Sequence, residues 1–288
     1  MNFYIDLLNK REKAIIIWLV IFLVWVLSQK TIRNSIFGVL KALFQKKIFI
    51  VIVAMLLYVG LVVLFFYRIQ LWDSSLIKDT IFWVGVAFIL LMNANKATQD
   101  EHYFKKILLD NLKLILVIEF IVNLYVFSLW VEIILMPLLF VIVVMGVVVE
   151  MKKEYMSVKK IIDFTLVTFG IFLIIFALFN IFSGYQSFAT SDNLRALILP
   201  PLLTLAYMPF LYFFALLMAY ENLFVRLDIF LKKDKNLAKF TKRKILTLCF
   251  VNLGKLNKFA KENTQEFMKL DDKNDVLSMI LQFNKKKG

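Results

Sequence analysis

The chain has 288 residues, 61% of them hydrophobic, with mean hydropathy +0.78, against roughly 45–50% apolar residues in soluble globular domains. Its 35 Lys+Arg and 21 Asp+Glu give a formal net charge of +14. Those values exclude a soluble enzyme, a disordered tail and a secreted disulfide scaffold, and they agree if the apolar residues sit in a bilayer flanked by the cations.

The first apolar run, 14–27, carries Trp18 and Trp25 and follows Lys10, Arg11 and Lys13. No small-x-small cleavage site follows it, so a retained anchor is expected rather than a signal peptide. In 30–47, Ile32, Ile36, Val39, Leu40, Leu43 and Phe44 recur at helical spacing among five cations and no acid. This predicts an amphipathic helix on the membrane interface, held by anionic lipid, or an extension of the adjoining spans. Runs at 48–67, 76–94, 114–131, 133–149, 164–183 and 196–220 each have the length a helix needs to cross about 30 Å of hydrocarbon. Lys78 can snorkel to the headgroups at the start of its run. A single helix over 114–149 would be about 54 Å long, too long for one crossing. A tight hairpin is therefore expected at Glu132 and Pro137, with Glu132 solvated at the turn and Pro137 in a first helical turn.

The predicted fold is all-α: a polytopic bundle of about seven transmembrane helices over 1–220, followed by a small basic helical module, 221–288. With seven spans, 29 of the 35 cations fall in alternate connecting segments and 6 in the others. The positive-inside rule then places the N-terminus outside and the C-terminus in the cytoplasm. If 14–27 only dips into the inner leaflet, six spans with both ends inside result. A composition rich in Lys, Ile and Phe points to an AT-rich bacterial genome, and hence to a bacterial inner membrane.

Polar residues inside spans are functional candidates, because burying charge there is costly. Glu119 and Asn123, at i and i+4, share one helix face; they either line a lumen or fix packing by interhelical hydrogen bonds. Asn180 marks the end of the sixth span, and Asp163 is expected to pair with Lys159 or Lys160 at the interface. Pro200, Pro201 and Pro209 predict a kinked seventh span, either a hinge for a gate or a static bend. The module holds 16 cations against 8 acids. Its cluster Lys239, Lys242, Arg243 and Lys244 is read as a site for anionic lipid, or for a nucleotide or oligonucleotide phosphate.

Little else carries chemistry. One cysteine, Cys249, and one histidine, His102, are too few for a thiolate cluster or a multi-His metal site, so no metal or cofactor is expected. No G-x-S-x-G or H-E-x-x-H motif occurs, and catalysis is not expected. The expected function is an oligomeric channel or pore-forming effector gated through the basic module. The alternatives are a secondary transporter of a small solute, for which broken, Gly-interrupted helices are the usual sign, and a non-conducting scaffold.

Overall fold

The computed structural model describes residues 8–100, 102–110, 118, 120–123, 125–151, 153–183, 190–232 and 234–285, with backbone alone at 39, 40, 153 and 269. Among them the secondary structure is entirely helical. The long elements are α1 (Lys10–Ser28), α2 (Lys30–Leu43), α3 (Lys46–Arg68), α4 (Ile77–Met92), α5 (Tyr103–Asp110), α6 (Leu129–Glu150), α7 (Met156–Ser183), α8 (Ser191–Phe230), α9 (Lys235–Cys249), α10 (Leu253–Asn263) and α11 (Lys273–Lys285). Among the described residues, five helices are long and apolar enough to cross a membrane: Lys46–Arg68, Ser74–Met92, Leu129–Glu150, Met156–Ser183 and Ser191–Phe230. A sixth is reached if α1 and α2, bent by 103° at Gln29, count as one broken span. This is the make-up of a multi-pass helical membrane protein. Of the expected span 114–131, residues 114–117, 119 and 124 lie outside the described residues; 118 and 120–123 are helical, 125–128 are not, and 129–131 already open α6.

Two boundaries differ from expectation. The amphipathic segment predicted over 30–47 ends at Leu43, and Lys46 and Lys47 already belong to α3. The hairpin turn lies at 125–128, not at Glu132 and Pro137. Ser128, with extended backbone, caps α6, which puts Glu132 in the first turn of α6 and Pro137 in its interior. An interior proline deprives the carbonyl four residues earlier of its N–H. Here that carbonyl is Ile133 O, and the Trp18 indole N–H donates to it at 2.7 Å. The proline is tolerated because a neighbouring helix supplies the missing donor, as buried membrane backbone requires.

The chain divides into two compact units, Met1–Phe82 with Leu112–Pro200, and Trp83–Asn111 with Pro201–Gly288. In the first, α1 packs along α6 and α6 along α7. Polar groups tie the helix ends together. Asn9 closes a capping box with Glu12 at the start of α1, and Glu12 pairs with Lys78 at 3.2 Å. Asp73 pairs with Arg195 at 2.8 Å. The Ser75 hydroxyl and amide, with the Arg195 guanidinium, hold the Asp73 carboxyl below its ordinary range. All these residues lie in segments that the charge bias groups on one side of the bilayer.

In the second unit the Trp83 indole donates to the Thr204 hydroxyl at 3.0 Å and its ring meets Tyr207 edge-on at 5.6 Å. Residues 221–288 bury a core of their own, with Leu237, Ile245, Leu256, Phe259, Phe267 and Phe283 all removed from the surface. Asn257 donates to Ala97 O at 3.1 Å, which fastens α10 to the turn after α4.

Candidate functional site

Glu132, expected to be solvated, is the most deeply placed acid described, with 0% of its side chain exposed. Arg11 Nε lies 3.3 and 3.2 Å from its two carboxylate oxygens, Arg11 Nη2 lies 3.2 Å from Oε1, and the Phe127 N–H donates to Oε1 at 3.1 Å. Arg11 itself is 11% exposed. Its remaining donors reach Val122 O at 3.3 Å and Asn123 Oδ1 at 3.2 Å. A charge this buried is tolerable only when paired and fully hydrogen-bonded, and both partners meet that condition. The pair was illegible in the sequence because Arg11 and Glu132 stand 121 positions apart.

Among the described residues, the intramembrane candidates Asn123 and Asn180 each have a partner of their own. Glu119 lies outside the described residues. Asn123 is engaged by Arg11, and its carbonyl accepts from Asn9 Nδ2 at 3.2 Å. Asn180 donates back to Phe176 O on its own helix at 2.7 Å. Lys159 pairs with Glu150 at 2.6 Å, and the Asp163 carboxylate also attracts it. Pro200, Pro201 and Pro209 all lie within the continuous helix α8, and the division between the two units falls between Pro200 and Pro201.

The basic cluster of the module resolves into faces. Asp234 caps α9, its carboxylate accepting from the Asn236 and Leu237 N–H groups at 2.9 Å. Helical periodicity then puts Lys235, Lys239 and Lys242 on one face, at i, i+4 and i+7. These three, with Asp228 from the end of α8 and Leu231 and Lys232 from the turn after it, line a cleft of about 390 Å³. Lys242 pairs with Asp228 at 2.6 Å and lies 5.6 Å from the Phe224 ring centroid. Lys232, Lys235 and Lys239 have no hydrogen-bond or ion-pair partner among the described residues. Arg243 and Lys244 are not in the cleft; Lys244 turns away to sit 5.5 Å over the Phe240 ring. Sequence reasoning missed Lys232 and Lys235, which are brought in by the turn between α8 and α9.

A larger cleft, about 980 Å³, lies on the opposite face of the same stretch of α8 and is lined by Asn222 and Arg226 of that helix and Asn257, Lys258 and Lys261 of α10. Arg226 and Lys261 are exposed, with no hydrogen-bond or ion-pair partner among the described residues. The end of α8 thus has a basic cleft on each side. Among the described residues no group of His, Cys, Asp or Glu is spaced to hold a metal. His102 is exposed, and its backbone N–H donates to Asp100 at 2.9 Å.

Comparison with protein-family models, with curated proteins and with solved structures finds no match to this chain. The fold defines a class, the multi-pass helical membrane protein, and the chemistry of its basic clefts supplies what more there is to argue from.

Proposed function

We propose that the chain is the subunit of an oligomeric membrane channel of a bacterial inner membrane, gated when an anionic ligand occupies the lysine cleft of its cytoplasmic module. One observation carries this reading. The cleft is lined by Asp228 of α8, a candidate span, and by Leu231 and Lys232 of the turn that directly follows it, and the part of α8 from 201 to 230 belongs to the same compact unit as the module. Closing the cleft around a phosphate would pull on the end of a helix that crosses the bilayer. The Pro200–Pro201 pair, at the unit boundary, is the hinge where that pull is absorbed. Asn123 and Asn180 already have partners within the chain, so the ion path is assigned to the interface between copies. There, one polar group per chain becomes a ring.

Orientation follows the charge bias, and the pairs Arg11–Glu132, Glu12–Lys78 and Asp73–Arg195 support it by joining segments grouped on the outer side. The test is current across a planar bilayer holding the purified full chain, with inorganic pyrophosphate added on the module side. The reading expects ligand-dependent current that Lys239→Glu with Lys242→Glu abolishes. Saturable solute uptake into proteoliposomes, with no current, would replace the channel with a carrier.

A further inference from the structure

The end of α9 returns to the apolar part of α8. Helices α8 and α9 pair antiparallel in a constant register: Leu231 lines one cleft with Ala238, Asp228 pairs with Lys242, and Tyr220 meets Phe250. Each step back along α8 is matched by a step forward along α9, so the end of α9 lies beside the apolar part of α8. The Tyr220 hydroxyl donates to Phe250 O at 2.7 Å. The Tyr212 hydroxyl donates to Val251 O at 2.7 Å and accepts from the Leu253 N–H at 3.2 Å. Tyr212 and Tyr220 belong to the apolar run 196–220 of a helix that qualifies as a span, and tyrosine favours the boundary between hydrocarbon and headgroups.

The turn so held is apolar and uncovered. Phe250 is 73% exposed and Val251 44% exposed, beside exposed Leu246. The Asn252 N–H donates to Cys249 O at 2.9 Å, and Phe250 has φ 44°, ψ −119°. Those are the features of a type II′ turn with Phe250 at its first central position, where glycine is strongly favoured. A bulky, exposed, apolar residue at a position that suits glycine is unfavourable for the turn itself. It is favourable if the ring enters lipid.

We propose that the Phe250–Val251 turn is a wedge inserted into the acyl–headgroup boundary of the same leaflet that α8 leaves. The occupant of this surface is lipid, because the turn is continuous with the apolar flank of a span. Arg243 and Lys244 stand about two turns back along α9, about 10 Å from the tip at 1.5 Å per residue, at the level of the phosphates. This gives the two cations left out of the lysine cleft a role. The wedge does not depend on the channel reading.

The test is collision-accessibility EPR on the full chain in bilayers of phosphatidylcholine with phosphatidylglycerol. A Cys249→Ser background carries one spin label, at Phe250→Cys, Val251→Cys or Lys258→Cys. At 250 and 251 the label should meet oxygen more often than a water-soluble nickel chelate, and at 258 the order should reverse. Val251→Cys keeps Phe250 in place, so a disturbance of the turn by Phe250→Cys does not decide the result. Chelate access at 250 and 251 equal to that at 258 would overturn the wedge. So would dipolar broadening between labels at 250, which would place the turns of two copies against each other instead of in lipid.

Discussion

Replacing Glu132 with Gln removes the one carboxylate that meets Arg11 among the described residues while keeping the side chain's size. The new amide can still accept from the Phe127 N–H, and Arg11 keeps Val122 O and Asn123 Oδ1 as neutral acceptors. What remains is a guanidinium that is 11% exposed, with no counter-charge among the described residues. Breaking a buried pair by removing one partner costs about 3–5 kcal/mol. With two neutral acceptors retained, we expect the lower end, about 3 kcal/mol, or somewhat over a hundredfold in the folding equilibrium at 1.4 kcal/mol per tenfold. Arg11→Met should cost a similar amount by stranding the carboxylate. The double variant should cost less than the two together, with a coupling of about 1.5–3 kcal/mol. Reversible unfolding of the four proteins in mixed micelles measures all three values. Single-variant losses under about 1 kcal/mol, with an additive double variant, would show that the pair does not hold α1 to α6 and would refute the argument from burial.

Three other outcomes follow from the same structure. Trp18→Phe keeps the ring but leaves the Ile133 carbonyl, already freed by Pro137, without a donor. It should cost about 1–3 kcal/mol, while Trp18→Phe with Pro137→Ala should recover most of that in the same unfolding assay. Phe250→Gly relieves the disfavoured φ and should stabilise the protein in detergent by about 1 kcal/mol, read as a higher unfolding midpoint; a lower midpoint would contradict the turn assignment. Because the Asp73 carboxyl is held below its ordinary range, its contribution to stability is complete above the unfolded pKa and is lost as pH falls through the lower folded value. The acid limb of the stability profile should therefore be shallower in Asp73→Asn, and an unchanged limb would remove Asp73–Arg195 from the account.

The spans were legible because bilayer thickness imposes a length: the runs 48–67, 133–149, 164–183 and 196–220 each reappear within a qualifying helix, and 76–94 does so as far as Met92. Their ends were less legible, since charged residues such as Lys10 and Arg68 continue a helix past its apolar part. The polar sites were legible only where periodicity carries them. Lys239 and Lys242 share a face by spacing alone, but Lys232 joins them through a turn, and a window of sequence cannot show that. Glu132 was misplaced because its burial depends on Arg11, far away in the chain. Phe250 gave no signal, because a glycine-favouring turn is not expected where phenylalanine stands.

We propose that copies of this chain conduct ions across a membrane under the control of the lysine cleft. The most direct measurement is current through a planar bilayer containing the purified protein, with pyrophosphate on the module side. The account predicts discrete openings that depend on the anion in wild-type protein and are absent in Lys239→Glu with Lys242→Glu. Silent bilayers, with protein insertion verified, would contradict it.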